Sequence, residues 1–139
     1  VHTACLFVAG ALRAVIPADH FTVAWTHSVE KTRWEERYQV EASTLHLTEA
    51  RIQGSGAGMD PPPDAILRDG WWSWKPSVGR LPKLRLTLSP FTRDYDLCWD
   101  GRCHKLQRLV APAHKADAAG PDPGAIGVVE VRSCSESTP

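Results

Sequence analysis

The sequence predicts an all-β chain, a single antiparallel β-sandwich or flattened barrel of about eight strands, and three observations support that fold class. Short runs alternate apolar and polar residues with the period of two that sends successive side chains to opposite faces of a sheet. Glycine, proline and Asp-Gly signals separate those runs. No stretch keeps a helical period over several turns. At 139 residues the chain is long enough for one core but not two, so residues 1–139 read as one β domain.

In chain order, an apolar stretch from Cys5 to Ile16 is ended by Pro17, whose ring fixes φ and removes a donor. In FTVAWTH, Phe21, Val23, Trp25 and His27 share a side. In WEERYQV, Trp34, Glu36, Tyr38 and Val40 share one side, while Glu35, Arg37 and Gln39 take the other. Trp25, Trp34 and Tyr38 are therefore expected in the core, with Glu36 largely buried among them. If these two runs pair as a hairpin across a short loop, opposed residue numbers sum to roughly 61 to 63, which sets Glu36 beside Trp25 or His27. In LHLTEARIQ, Leu45 and Leu47 share a face that Ile52 leaves, so a bulge or a strand end is expected near Glu49.

GSGAGMDPPPD, residues 54–64, is a long shaped loop, because its glycines permit positive φ and its prolines impose extended geometry. DGWW, residues 69–72, reads as a turn into a short strand in which Trp71 faces away from Trp72 and Trp74. KLRLTL, residues 83–88, alternates cleanly. Asp100-Gly101 is a two-residue hairpin signal that joins YDLCW to RCHKLQRLV. Residues 111–125 form a low-complexity bridge, expected as a flexible internal loop, before the final strand VVEVRSC.

Sixteen basic and sixteen acidic residues give a formal charge of zero, which offers no electrostatic case for nucleic acid or an anionic membrane. No apolar run approaches the roughly 20 residues of a spanning helix. The chain begins at Val1 without a methionine and reads as a form from which any targeting segment has been removed. Across the Asp100-Gly101 turn, Trp99 faces Arg102 and Cys98 faces Cys103, with Cα atoms roughly 4.5 Å apart in a non-hydrogen-bonded pair, which suits a disulfide. A zinc site would want paired short ligand spacings, and Cys5 and Cys134 have no near neighbour. Elimination pairs Cys5 with Cys134. Two disulfides imply an oxidising compartment, hence a periplasmic or otherwise extracytoplasmic location.

His27 and Glu36 are the candidate polar pair, either a structural contact or the start of a site, because a buried charge needs a partner. Glu30, with Lys31, Arg33, Glu35 and Glu36, forms a mixed-charge cluster that could hold a ligand, though alternating signs favour a surface charge network. Ser55, Gly56 and Gly58 could form a backbone nest for a carboxylate. The phosphate-loop fingerprint is absent, since it needs a Lys and a Ser or Thr where Met59, Asp60 and three prolines follow. Six tryptophans are many for this length, and Trp72 is a candidate for an aromatic wall. No nucleophile elbow is present; no catalytic residue, metal or cofactor is expected.

WTHSVEKTRWEE, EARIQGSGAGMDPPPDA, DGWW and YDLCWDGRC together resemble a small exported bacterial family, the domain of unknown function numbered 1850, often encoded beside TRAP transporters of the TAXI type. The resemblance runs from about Cys5 to Cys134. His27, Glu30, Trp34, Glu35, Gly56 and Gly58 match its pattern without carrying roles. The resemblance implies an exported, non-enzymatic accessory or binding module of a TRAP-type uptake system, with the transporter's membrane or solute-binding subunits or a small molecule as partner. The alternative is a small-ligand or metal-ion binding protein using His27 and the neighbouring glutamates.

Overall fold

A computed structural model describes residues 2–26, 32–54, 61–77, 79–89, 94–111 and 127–134. Twelve strands among these residues form two antiparallel sheets that face each other without closing into a barrel. The smaller sheet has the order β2-β1-β12-β9, from β1 (Ala4–Val8), β2 (Ala11–Ile16), β9 (Leu84–Leu88) and β12 (Gly127–Ser133). The larger follows β11-β10-β3-β4-β5-β7-β6, with β8 (Arg80–Leu81) also on β5. Its strands are β3 (His20–Thr26), β4 (Arg33–Val40), β5 (Leu45–Gln53), β6 (Ile66–Arg68), β7 (Trp71–Trp74), β10 (Asp96–Trp99) and β11 (Arg102–Lys105).

The strand count exceeds the expected eight because tight turns divide runs that look continuous. The stretch from Cys5 to Ile16 is a hairpin, turning at Ala9 (φ 50°) and Gly10 (φ 82°). Asp69-Gly70 and Asp100-Gly101 adopt the same pair of positive φ values, the backbone of a type I′ turn whose twist matches that of paired strands. The first of these adds β6 ahead of the expected β7. A second correction concerns RCHKLQRLV, which does not continue as a strand. It turns into a short helix, α1 (Leu106–Leu109), where the four-residue step from Leu106 to Val110 puts both in the core.

Between the sheets Leu6, Ile16, Leu86, Val129 and Val131 meet Phe21, Val23, Tyr38, Val40, Leu45 and Leu97. Most are fully buried, and each such side chain is worth about 1.5–3 kcal/mol by removal from water. The change of face along β5 is resolved by a bulge. Arg37 pairs with Glu49 and Tyr38 with Leu47, leaving Thr48 as the extra residue, so Leu45, Leu47, Ala50 and Ile52 all turn inward.

Both disulfides have the expected pairing. Cys98 and Cys103 are opposed across the hairpin with Cα atoms 4.0 Å apart, and Cys5–Cys134 joins the first strand to the end of the last, at 5.5 Å. No described helix is long and apolar enough to cross a membrane.

Candidate functional site

The β3–β4 hairpin fixes the surroundings of Glu36. Thr26 pairs with Arg33 and Trp25 with Trp34, so opposed residue numbers sum to 59, below the expected 61 to 63. Glu36 therefore sits opposite Val23 instead of Trp25 or His27, and on its other side it faces Ala50 of β5. Trp34 and Tyr38 flank it on the same strand and face. Tyr38 is buried, at 2 % exposure. Trp25, Trp34 and Glu36 are half-buried, less enclosed than alternation alone suggests.

Aromatic residues cluster around the register position of this carboxylate. Trp25 and Trp34 stack with centroids 5.9 Å apart and planes 14° off parallel, and Tyr95 meets Trp25 edge-on at 5.9 Å. Phe21 stacks on Tyr38 at 5.3 Å. The Tyr38 hydroxyl donates to Glu36 Oε1 at 2.8 Å, and among the described residues Glu36 has no cationic partner. One row toward the sheet end, Trp34 and Trp72 lie on either side of Ile52. Among the described residues the buried indole N–H groups of both tryptophans and the Thr32 hydroxyl find no hydrogen-bond partner.

Burial first, and the Glu36 charge second, push the Tyr38 phenol far above the ordinary tyrosine range; the same two causes, in the same order, raise Tyr95. These are the chain's two tyrosines. In the unfolded chain both ionise near pH 10, so above about pH 10 the folded protein holds protons that the unfolded chain has lost. Stability should be undiminished by these groups below that pH and fall as pH rises beyond it. Absorbance at the tyrosinate band should lag behind that of the unfolded chain as pH rises through about 10, with Tyr38 ionising only on unfolding. A tyrosine titrating normally in the folded state would show that the Glu36 surroundings are wetter than described.

The other candidates separate. Glu35 and Arg33 face away from Glu36, into a charge ladder of Lys105–Asp96 (3.0 Å), Asp96–Arg33 (3.3 Å), Arg33–Glu35 (3.5 Å) and Glu35–Arg51 (3.2 Å). Arg51 ends it over the Trp71 ring at 4.1 Å. Trp71, Trp72 and Trp74 are all half-buried, Trp71 opposite in face to the other two. Trp72 shares the face of Glu36 but lies beyond β5 from β4. His27, Glu30, Ser55, Gly56 and Gly58 lie outside the described residues, as does most of the 111–125 bridge. Among the described residues no three His, Cys, Asp or Glu side chains gather as a metal site.

A cavity of about 360 Å³ on the outer side of the larger sheet is lined by His20, Arg37, Gln39, Thr48 and the Asp100-Gly101 turn. Two of its polar groups are already answered, Arg37 by Glu49 at 3.0 Å and His20 by Asp19 at 2.8 Å. Sequence reasoning identified Glu36 but missed Tyr38 as its partner and Tyr95 as a wall. The signal for Tyr38 was its place two residues on, on the same face; Tyr95 gave none, since it arrives through the long-range pairing of β10 with β3.

A family model described as a domain of unknown function, DUF1850, matches residues 21–106. That stretch takes in all but the first residue of the larger sheet, together with β9, and leaves β1, β2 and β12 outside. No curated protein and no solved structure matches the chain.

Proposed function

This chain belongs to the DUF1850 family of domains of unknown function, and we propose that it is an exported, non-catalytic module that binds a small solute at the Glu36 niche. The observation that carries the reading is a half-buried carboxylate set among Trp25, Trp34 and Tyr95 and, among the described residues, hydrogen-bonded to the Tyr38 hydroxyl with no cation alongside. Half-buried charge without a counter-ion is costly unless something answers it, and partly exposed aromatic walls with a few polar groups are the usual lining of small-molecule sites. Export is supported by the two disulfides, which persist in oxidising compartments.

The resemblance to a bacterial family encoded beside TAXI-type TRAP transporters supports placing the module with such an uptake system, its partner a membrane or solute-binding subunit. The metal-ion alternative built on His27 and neighbouring glutamates is weakened by Glu35, which turns to the opposite face and is neutralised by Arg33 and Arg51. A melting-temperature screen against cationic, neutral and anionic solutes tests the reading, since a ligand of the folded state stabilises by mass action. A saturable rise with at least one solute is expected. No rise with any solute, followed by a rise when purified transporter subunits are added, would replace solute binding by a docking role.

A further inference from the structure

We infer that the solute recognised at Glu36 is a small organic cation, one carrying an ammonium group; this deepens the solute-binding reading and rests on it. The distinction of Glu36 lies in how the other half-buried carboxylates are answered. Glu35, Glu41, Glu49, Asp96 and Glu130 each have an arginine or lysine alongside, and Asp19 has the His20 imidazole at 2.8 Å. Asp94 accepts two backbone N–H groups, from Tyr95 at 2.9 Å and Gln107 at 3.0 Å. Among the described residues Glu36 has a neutral phenol as its partner and no cation.

The groups nearest it select the sign and kind of ligand. Trp34 precedes it and Tyr38 follows it on one face of β4, Trp25 lies diagonally across on β3, and Tyr95 stands close enough for the Glu36 charge to raise its phenol. Aromatic rings present a negative face, so rings and carboxylate together favour positive charge. A hard divalent ion needs several oxygen ligands, and one carboxylate with one phenol cannot supply them. Ammonium and quaternary ammonium groups are the cations that aromatic walls recognise. Glu36, Trp25, Trp34 and Tyr95 all keep partial exposure, which leaves the niche open to a small molecule.

The test is a melting titration of the intact chain with tetramethylammonium chloride and with butylammonium chloride, each against sodium chloride at equal ionic strength, and repeated on Glu36→Gln. The amide still accepts from Tyr38, so the variant should fold, and near-ultraviolet circular dichroism checks that it does. A saturable rise for at least one ammonium salt beyond sodium is expected, with apparent affinity at least tenfold weaker in Glu36→Gln and a parallel change in tryptophan fluorescence in the parent protein. An absent rise with both salts, or an equal rise in the variant, overturns the inference. A saturable rise with acetate, glutarate or glucose in place of ammonium would overturn it while leaving solute binding intact; no response to any of these compounds would remove both.

Discussion

Removing the Cys5–Cys134 bond should cost about 5 kcal/mol of unfolding free energy, and removing Cys98–Cys103 only about 2, because loop-closure entropy grows with the logarithm of the loop. The first bond spans a sequence separation of 129 residues, the second one of 5. The long bond also crosses the seam where the smaller sheet is built from the two ends of the chain: β1 pairs with β12 from Ala4↔Ser133 to Val8↔Val129. Cys134 N–H donates to the Thr3 carbonyl at 3.0 Å beside it. Since whole domains are stable by about 5–15 kcal/mol, Cys5→Ala/Cys134→Ala is expected to approach the limit of folding. Cys98→Ala/Cys103→Ala should remain folded, because its type I′ turn persists without the bond. Denaturant unfolding of the two double variants measures both costs, and equal or inverted values would show that the ends of the chain are held by packing instead.

The same chain ends show what a sequence reveals and what it hides. Asp100-Gly101 is legible because only certain residues take two successive positive φ values, and the turn fixes the Cys98–Cys103 pair with it. Ala9-Gly10 makes the same turn illegibly, since alanine is no turn former and the flanking residues are apolar on both sides. The bulge, expected near Glu49 and found at Thr48, is legible as a break in alternation between Leu47 and Ile52. Glu36 is legible as an inward carboxylate for the same reason. The residue opposite it is not, because alternation does not fix the register of β3 against β4, and the observed pairing puts Val23 there where sums of 61 to 63 put Trp25 or His27. Tyr95 and α1 depend on contacts distant in sequence, which local pattern does not carry.

Tyr38 concentrates both the packing and the electrostatics of the niche, so its substitutions should separate the two. Tyr38→Ala is expected to cost about 4 kcal/mol, as for other buried aromatics truncated to alanine, since its ring stacks on Phe21 and belongs to the central core cluster. Tyr38→Phe keeps that ring and removes only the hydroxyl that donates to Glu36 at 2.8 Å. Its cost of about 1–2 kcal/mol would reflect a half-buried carboxylate stripped of its donor, the expensive side of hydrogen-bond removal. Glu36→Leu should cost less in the Tyr38→Phe background than alone, because neither change then leaves a polar group stranded. A double-mutant cycle on chemical unfolding isolates that coupling, expected at about 1 kcal/mol or more. A coupling near zero would mean that solvent already satisfies Glu36, and the reason to look for a cation there would go with it.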